Sequence, residues 1–139
     1  MRPLKILETC LYADDLAAAE QFYRDVLGLS VVSRQEPRHV FLRCGETMLL
    51  VFNPEVNSLP SAEVPPHGAH GCGHVAFSVG TGEVLDWERV LTEKGIPIEK
   101  RVTRPSGGVS LYFRDPAGNS VELTSPRIWG ISPTREPLT

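Results

Sequence analysis

Apolar and polar residues alternate along most short segments of this chain, but two segments follow a longer period. Alternation with a period of two is typical of strands, whereas apolar residues three and four positions apart predict amphipathic helices. The helical pattern covers residues 16–27, after the N-capping residue Asp15, and residues 83–94. One strand precedes each predicted helix and three follow it. The pattern therefore predicts the element order βαβββ twice, in an α+β fold.

The predicted strands fall into two sets of four, separated by a long connection rich in proline, serine and glycine. The first set comprises residues 4–13, 29–34, 40–43 and 48–52. The second set comprises residues 73–79, 97–102, 109–114 and 119–124. We expect one domain over residues 1–139, with module one at about 4–53, a linker at about 54–71, module two at about 72–126 and a C-terminal tail at 127–139.

Composition narrows the classes of function. With 139 residues the chain can bury one substantial core, and its formal net charge of −3 gives no sign of a nucleic-acid surface. No apolar run is long enough to cross a bilayer, and the N-terminus lacks a signal peptide's apolar stretch. The chain has three cysteines, Cys10, Cys44 and Cys72, an odd number without the spacing of a metal site. This pattern suits a reducing compartment better than a disulfide scaffold. We therefore expect a cytoplasmic protein that binds neither nucleic acid nor membrane.

A charged residue stands in the last predicted strand of the second module. The preceding residues 115–119 are turn formers, and after them Val121 and Leu123 alternate with Glu122. The apolar pair suits a core under the helices, so Glu122 lies on the opposite face. A carboxylate in the middle of a strand is either solvated or part of a site.

Overlaying the two modules by position shows which side chains share that face. Glu8 in the first module falls on His74 in the second, and Leu50 falls on Glu122. Three of these four positions thus carry side chains that bind metals, and two curved sheets facing each other would bring them around one cavity. Three protein ligands with a missing fourth describe an open coordination site, in which substrate or water completes the shell. The alternative is a polar pocket without metal.

Other polar residues are candidates for the wall of this cavity. Cys10, Ser110 and Tyr112 share the inward face by alternation, and they either contact the substrate or only fill space. His39 and Arg43 alternate with apolar neighbours and are expected to be exposed. Arg43 is also a candidate partner for an anionic substrate.

Four motifs now support a resemblance to a known family. They are residues 11–16, residues 22–28, residues 73–77 and residues 115–122. Together they resemble the vicinal oxygen chelate superfamily, which includes glyoxalase I, bleomycin- and fosfomycin-resistance proteins and extradiol dioxygenases. The resemblance covers about residues 6–126. It implies two βαβββ modules that form cupped mixed sheets around a divalent metal ion.

The resemblance places His74 and Glu122 where metal ligands usually sit in this superfamily. Glu8 falls where many members have histidine and some have glutamine, and Leu50 falls where glyoxalase I has a fourth, acidic ligand. The three-ligand set is similar to that of the fosfomycin enzymes. Ser110 and Tyr112 of this chain also match polar positions that line the pocket of those enzymes.

The resemblance also bears on the assembly of the protein. In one family arrangement, module one of a chain faces module two of its partner. A homodimer is therefore expected, with a single-chain cup as the alternative.

The expected function is a metal-dependent lyase, isomerase or transferase in which Glu122 is also catalytic. The metal would act as a Lewis acid on a small oxygenated substrate. Two carboxylates and one imidazole favour Mn²⁺ or Mg²⁺, while Zn²⁺, Ni²⁺ and Co²⁺ remain possible. A metal-free protein that sequesters a toxic compound, and a ring-cleaving iron dioxygenase, are the alternatives. Thiol conjugates, antibiotics, catechols and acyl thioesters are all candidate substrates.

Overall fold

The computed structural model describes residues 1–61, 63–105 and 107–132. The last part of the predicted tail, residues 133–139, lies outside this description. The first compact unit comprises residues 1–73 together with 115–119, and the second comprises 74–114 and the described chain from 120 to 132. No described helix is long and apolar enough to cross a membrane.

The first unit contains a four-stranded mixed sheet with strand order β1-β4-β3-β2, in which β1 and β4 are parallel. Its other strand pairs are antiparallel. The elements are β1 (Glu8–Tyr12), α1 (Leu16–Asp25), β2 (Ser30–Gln35), β3 (His39–Cys44), β4 (Thr47–Phe52) and α2 (Pro54–Asn57). Part of the predicted linker is therefore helical.

The second unit repeats this topology with strand order β5-β8-β7-β6, and β5 and β8 are parallel. Its elements are β5 (His74–Ser78), α3 (Val84–Glu93), β6 (Lys100–Thr103), β7 (Val109–Arg114) and β8 (Ser120–Thr124), followed by a short 3-10 helix at Pro126–Trp129. The duplicated βαβββ order predicted from the sequence is confirmed, although both main helices end earlier than their apolar pattern suggested.

Helix α1 forms because its ends are capped and one of its faces is apolar. The Asp15 carboxylate accepts a hydrogen bond of 3.0 Å from the Ala18 backbone N–H, which satisfies one of the free donors of the first turn. Ala19, Phe22 and Tyr23 are buried, and the helix packs against β2, β3 and β4. The opposite face of the first sheet is consequently left for the polar positions of the predicted site.

The strand registers agree with the predicted overlay of the modules. Glu8 is opposite Met48 in the first sheet, and His74 is opposite Ser120 in the second. The overlay places Met48 on Ser120, so Glu8 and His74 occupy equivalent positions in their own sheets. The same comparison makes Leu50 the equivalent of Glu122.

His39 departs from the expected exposure, because only 6% of its surface is accessible. Its ring stacks on Phe41 with centroids 3.8 Å apart, and its Nε2 atom lies 3.1 Å from the Ser33 hydroxyl. The two rings meet because residues two apart on a strand share a face. Arg43, on the same strand, is exposed as predicted.

The turn between β7 and β8 belongs to the first unit and is anchored there by a buried carboxylate. Asp115 Oδ1 accepts hydrogen bonds from the backbone N–H groups of Ala117 and Asn119, and Oδ2 accepts from the Tyr23 hydroxyl at 2.7 Å. The Asn119 amide donates to Asp115 Oδ2 and to the Tyr12 carbonyl. Buried polar groups are therefore satisfied by one another, as a stable interior requires.

The Tyr23–Asp115 contact predicts a loss of stability at alkaline pH. Burial raises the pKa of the Tyr23 phenol well above its ordinary value, and the Asp115 carboxylate raises it further. The unfolded chain then loses this proton first, at a pH of about 10. The contribution of the Tyr23–Asp115 contact to the free energy of unfolding is complete below that pH. Above it the contribution declines by up to about 1.4 kcal/mol per pH unit.

Urea unfolding of the wild type and Tyr23→Phe between pH 8 and pH 11 measures this contribution. At neutral pH the variant should lose about 1–2 kcal/mol with its hydroxyl hydrogen bond. Above a pH of about 10 the difference in free energy of unfolding between the wild type and the variant should shrink, because phenylalanine has no proton to lose. Parallel stability curves over the whole range would contradict the assignment.

Candidate metal and substrate site

The parallel pairing of β5 with β8 brings a histidine and a glutamate together on one face of the second sheet. His74 is opposite Ser120, and Glu122 follows two residues later on the same face. The His74 Nε2 atom lies 3.4 Å from Glu122 Oε2. The Glu122 side chain is buried, whereas half of the His74 side chain is accessible. Two of the three predicted metal ligands are thus adjacent.

The second ring nitrogen of His74 determines how the imidazole can act. Nδ1 lies 3.1 Å from the Ser120 carbonyl oxygen, which can only accept a hydrogen bond. Nδ1 therefore carries the proton, and in the neutral ring Nε2 presents its lone pair beside the carboxylate. A lone pair facing a carboxylate oxygen is unfavourable unless a cation or a proton lies between them. The same orientation is common in metal-binding histidines.

Glu122 has one carboxylate oxygen that its protein surroundings do not satisfy. Among the described residues, Oε1 is buried and has no hydrogen-bond partner. The Arg104 guanidinium faces this oxygen, but its Nη2 is 3.7 Å away, beyond hydrogen-bond distance. Burial of an unsatisfied carboxylate oxygen costs free energy and therefore marks the position as a candidate for function.

Arg104 and Tyr112 complete a polar cluster around Glu122. Arg104 Nη2 donates a hydrogen bond of 2.8 Å to the Tyr112 hydroxyl. Burial raises the pKa of the Tyr112 phenol, and the Glu122 carboxylate raises it further, while Arg104 and Ser110 act in the opposite direction. The phenol therefore keeps its proton at neutral pH and can donate a hydrogen bond.

The His74–Glu122 pair fits a divalent metal in its chemistry and spacing. Donors that bind one ion at about 2.1 Å lie about 3.0 Å apart in octahedral and about 3.4 Å apart in tetrahedral geometry, close to the observed separation. The unsatisfied carboxylate and the imidazole lone pair are both donors. In residues 1–61, 63–105 and 107–132, however, no three histidine, cysteine, aspartate or glutamate side chains form a group that could hold a metal. The pair supplies two ligands, and a complete site needs further donors.

The other predicted site residues lie on several strands. Glu8 and Cys10 are both exposed on β1 of the first sheet, and Arg43 is exposed on β3. Partial desolvation of its thiol raises the pKa of Cys10, and the Glu8 carboxylate raises it further, so the thiol stays protonated and is a poor nucleophile. In the second sheet Ser110 is fully buried and donates a hydrogen bond of 3.0 Å to the Thr124 hydroxyl.

Arg104 was not predicted as a site residue. The sequence places it in the loop after β6, where the alternation of a strand is no longer expected. The signal that could have found it is the spacing of Lys100, Val102 and Arg104, which continues the period of two past the end of β6 at Thr103. The side chain reaches Tyr112, which is opposite Lys100 in the sheet.

Two four-stranded mixed sheets of identical topology, with a histidine and a buried glutamate on one of them, define the class of this protein. The chain belongs to the Glyoxalase/Bleomycin resistance protein/Dioxygenase superfamily, whose profile matches residues 5–123.

Known relatives cover different reactions. Biphenyl-2,3-diol 1,2-dioxygenase 3 of Rhodococcus globerulus is 38% identical over 120 residues, which cover 81% of this chain but only 58% of the dioxygenase. Metallothiol transferase FosB of Staphylococcus epidermidis is 33% identical over 116 residues, covering 82% of this chain and 76% of the transferase. A crystal structure of lactoylglutathione lyase from Agrobacterium tumefaciens superposes with a TM-score of 0.91 at 46% identity, covering 94% of this chain and all of that one.

Proposed function

We propose that this protein is a metal-dependent lyase, isomerase or transferase that acts on a small oxygenated molecule. The observation that carries the proposal is the His74–Glu122 pair, in which an imidazole lone pair and a buried, unsatisfied carboxylate lie side by side. The similarity to FosB and to the lactoylglutathione lyase structure supports this range of reactions. A buried carboxylate with these neighbours is better explained by a ligand than by fold stability.

The roles of the residues follow from their atoms. His74 Nε2 and Glu122 Oε2 would hold the metal, and the bound ion would polarise a substrate oxygen as a Lewis acid. Glu122 Oε1, which has no hydrogen-bond partner among the described residues, is the candidate acceptor for a substrate proton. The Tyr112 hydroxyl keeps its proton and would donate a hydrogen bond to a substrate oxygen. Ser110 is on the same face, but it is buried and donates its hydroxyl to Thr124, so it would orient Thr124 rather than touch substrate.

We also propose Glu8 as the third protein ligand. It is supported by the strand register, which makes Glu8 the equivalent of His74 in its own sheet. Glu8 would come either from the same chain or from the second subunit of a homodimer. Cys10 and Arg43, on the same sheet as Glu8, would then line the substrate pocket. Two carboxylates and an imidazole would favour Mn²⁺ or Mg²⁺ and would also accept Zn²⁺, Ni²⁺ or Co²⁺.

Metal titration with a matched histidine control tests the proposal. Wild-type protein should bind about one metal ion per chain, and His74→Ala should lower that affinity about 100-fold or more. His70→Ala is the control, because His70 also lies beside a glutamate, 3.2 Å from Glu55, but both side chains are exposed. The control should bind metal like the wild type.

The outcomes separate the alternatives. A wild type that binds none of Mn²⁺, Ni²⁺, Zn²⁺ and Fe²⁺ would contradict the proposal and leave a metal-free binding protein. Tight Fe²⁺ binding with oxygen consumption on a catechol would favour the ring-cleaving reaction of the dioxygenase relative. Equal effects of the two histidine substitutions would show that His74 is not a specific ligand.

Mixing two defective variants tests whether subunits share the site. If Glu8 comes from one subunit and His74 from the other, Glu8→Gln and His74→Ala combine into a mixed dimer with one intact site. Refolding the two variants together should then recover part of the metal binding that neither has alone. Recovery would be absent if every site were built within a single chain.

A further inference from the structure

The second unit carries a cavity that the proposed metal chemistry does not use. It has a volume of about 240 Å³ and lies between the start of α3, the start of β7 and the chain that leaves β8. Arg101, which lines it, alternates with Lys100 on β6, and Lys100 is opposite Tyr112 in the sheet. Because neighbouring residues of a strand point to opposite faces, Arg101 and this helix-side cavity lie on the face away from Tyr112 and Glu122.

The helix-side cavity has a positive lining. Two arginines line it, and its other lining residues within the described part of the chain are uncharged. Arg101 donates one hydrogen bond of 3.1 Å, from Nη1 to Glu88, so most N–H donors of its guanidinium remain available. The Arg127 side chain has no hydrogen bond or ion pair within residues 1–61, 63–105 and 107–132. Glu83, the residue before α3, accepts a hydrogen bond of 2.9 Å from the Gly80 backbone N–H.

A buried serine fixes the backbone from which Arg127 extends. Ser125 is 2% exposed, and its hydroxyl accepts a hydrogen bond of 3.4 Å from the Arg127 backbone N–H at the start of the 3-10 helix. The same hydroxyl lies 3.3 Å from that of Thr81, in the loop before α3. The contact joins two segments that both line the cavity. The backbone at this end of the cavity is therefore held in place without the arginine side chains.

The rest of the cavity wall is apolar. Val84, Leu85 and Val109 contribute aliphatic side chains, and Gly108 has none. Leu85 is 61% exposed, although it is large and apolar. Pockets for drug-sized ligands have about 300–1,000 Å³, so this cavity suits a smaller molecule. A ligand with an anionic group for the arginines and a small apolar group for the aliphatic wall would match both parts.

We propose that the helix-side cavity is a second binding site, which takes a small phosphate monoester with an apolar group. A phosphate monoester carries a charge of about −1.5 to −2 at pH 7 and has three terminal oxygens, enough acceptors for two guanidinium groups. Arginine binds such oxygens through paired N–H donors. The inference goes beyond the proposed metal-dependent function and uses none of the residues assigned to it.

Titration of the isotope-labelled, full-length protein with phenyl phosphate, followed by NMR, tests the site. The backbone amide signals of Gly82 and Gly108 should shift and reach saturation, because both residues line the cavity. The signal of Tyr112, on the opposite face, should stay in place. Arg101→Gln and Arg127→Gln should each weaken binding about tenfold, because each removes charged hydrogen-bond donors.

Two further variants separate the parts of the site. Leu85→Ala should weaken phenyl phosphate binding about threefold or more and leave the binding of inorganic phosphate unchanged, because only the ester contacts the apolar wall. Arg89→Gln is the matched control for the arginine variants. Arg89 is an exposed arginine of α3, 3.2 Å from Asp86, and it does not line the cavity. The control should bind phenyl phosphate like the wild type.

Three results would overturn the inference. One is the absence of any shift at up to about 10 mM phenyl phosphate. The second is a shift confined to Tyr112 and its neighbours, which would place the phosphate on the face of the proposed metal site. The third is equal binding by Arg101→Gln, Arg127→Gln and Arg89→Gln, which would show only a general attraction to surface charge. Mn²⁺ affinity should be the same in Arg127→Gln and the wild type, so failure of this site would leave the proposed metal function standing.

Discussion

Replacing Asp115 with alanine is expected to lower the free energy of unfolding by about 3–5 kcal/mol. The carboxylate is 4% exposed and accepts hydrogen bonds from two backbone N–H groups, from the Asn119 amide and from the Tyr23 hydroxyl. Alanine removes all of these acceptors while the donors stay buried. Urea unfolding at pH 7, followed by tryptophan fluorescence, measures the change.

Two companion variants identify the cause. Asp115→Asn keeps the size and one acceptor oxygen, so it should lose about half as much as the alanine variant. Asp86→Ala removes an exposed carboxylate, 3.2 Å from Arg89 on α3, and should change stability by less than about 1 kcal/mol. A loss in Asp115→Ala no larger than that in Asp86→Ala would mean that the turn does not depend on its buried carboxylate.

Glu122→Gln is expected to have the largest effect on function, with metal affinity falling about 100-fold or more. Glutamine has the same shape but lacks the negative charge that would bind the cation. In the metal-free protein the same change should alter stability by less than about 1 kcal/mol, because Oε1 is buried without a partner and its ion pair with Arg104 is long, at 3.7 Å. Metal titration and urea unfolding of one preparation measure both quantities.

Glu99→Gln provides the matched control for this substitution. Glu99 also pairs with an arginine of the second sheet, Arg114 at 2.8 Å, but its side chain is half exposed. Its replacement should leave metal affinity unchanged. A Glu122→Gln variant that lost stability but bound metal normally would make Glu122 a structural residue and remove the basis of the proposed enzyme.

The duplicated architecture could be predicted because it depends on short-range patterns. Alternation identified the strands, and the spacing of Ala19, Phe22 and Tyr23 identified the buried face of α1. The predicted helix ends were less accurate. The apolar pattern continues to Leu27, but α1 ends at Asp25. Gly28, with a φ of +73°, then turns the chain into β2. Apolar residues just beyond a helix can pack without belonging to it.

The candidate site could be predicted only in part. Overlay of the modules placed His74 and Glu122 on one face because parallel pairing fixes both positions relative to the strand register. The burial of His39 was missed, because alternation places His39 and Phe41 on one face but does not show that their rings stack there. Arg104 was missed because it follows the end of β6, where the period of two that links it to Lys100 and Val102 was not expected to continue.

The buried Asp115–Asn119 turn also has a consequence for the history of the chain. An ancestral single module would have needed its own groups for Tyr23, for the Tyr12 carbonyl and for the Gly73 backbone N–H, which now bind residues of a segment far along the polypeptide. A fragment ending at residue 73 would lack those partners. We therefore expect the first copy to have come to depend on this segment after duplication, so that a fragment ending at residue 73 does not fold by itself.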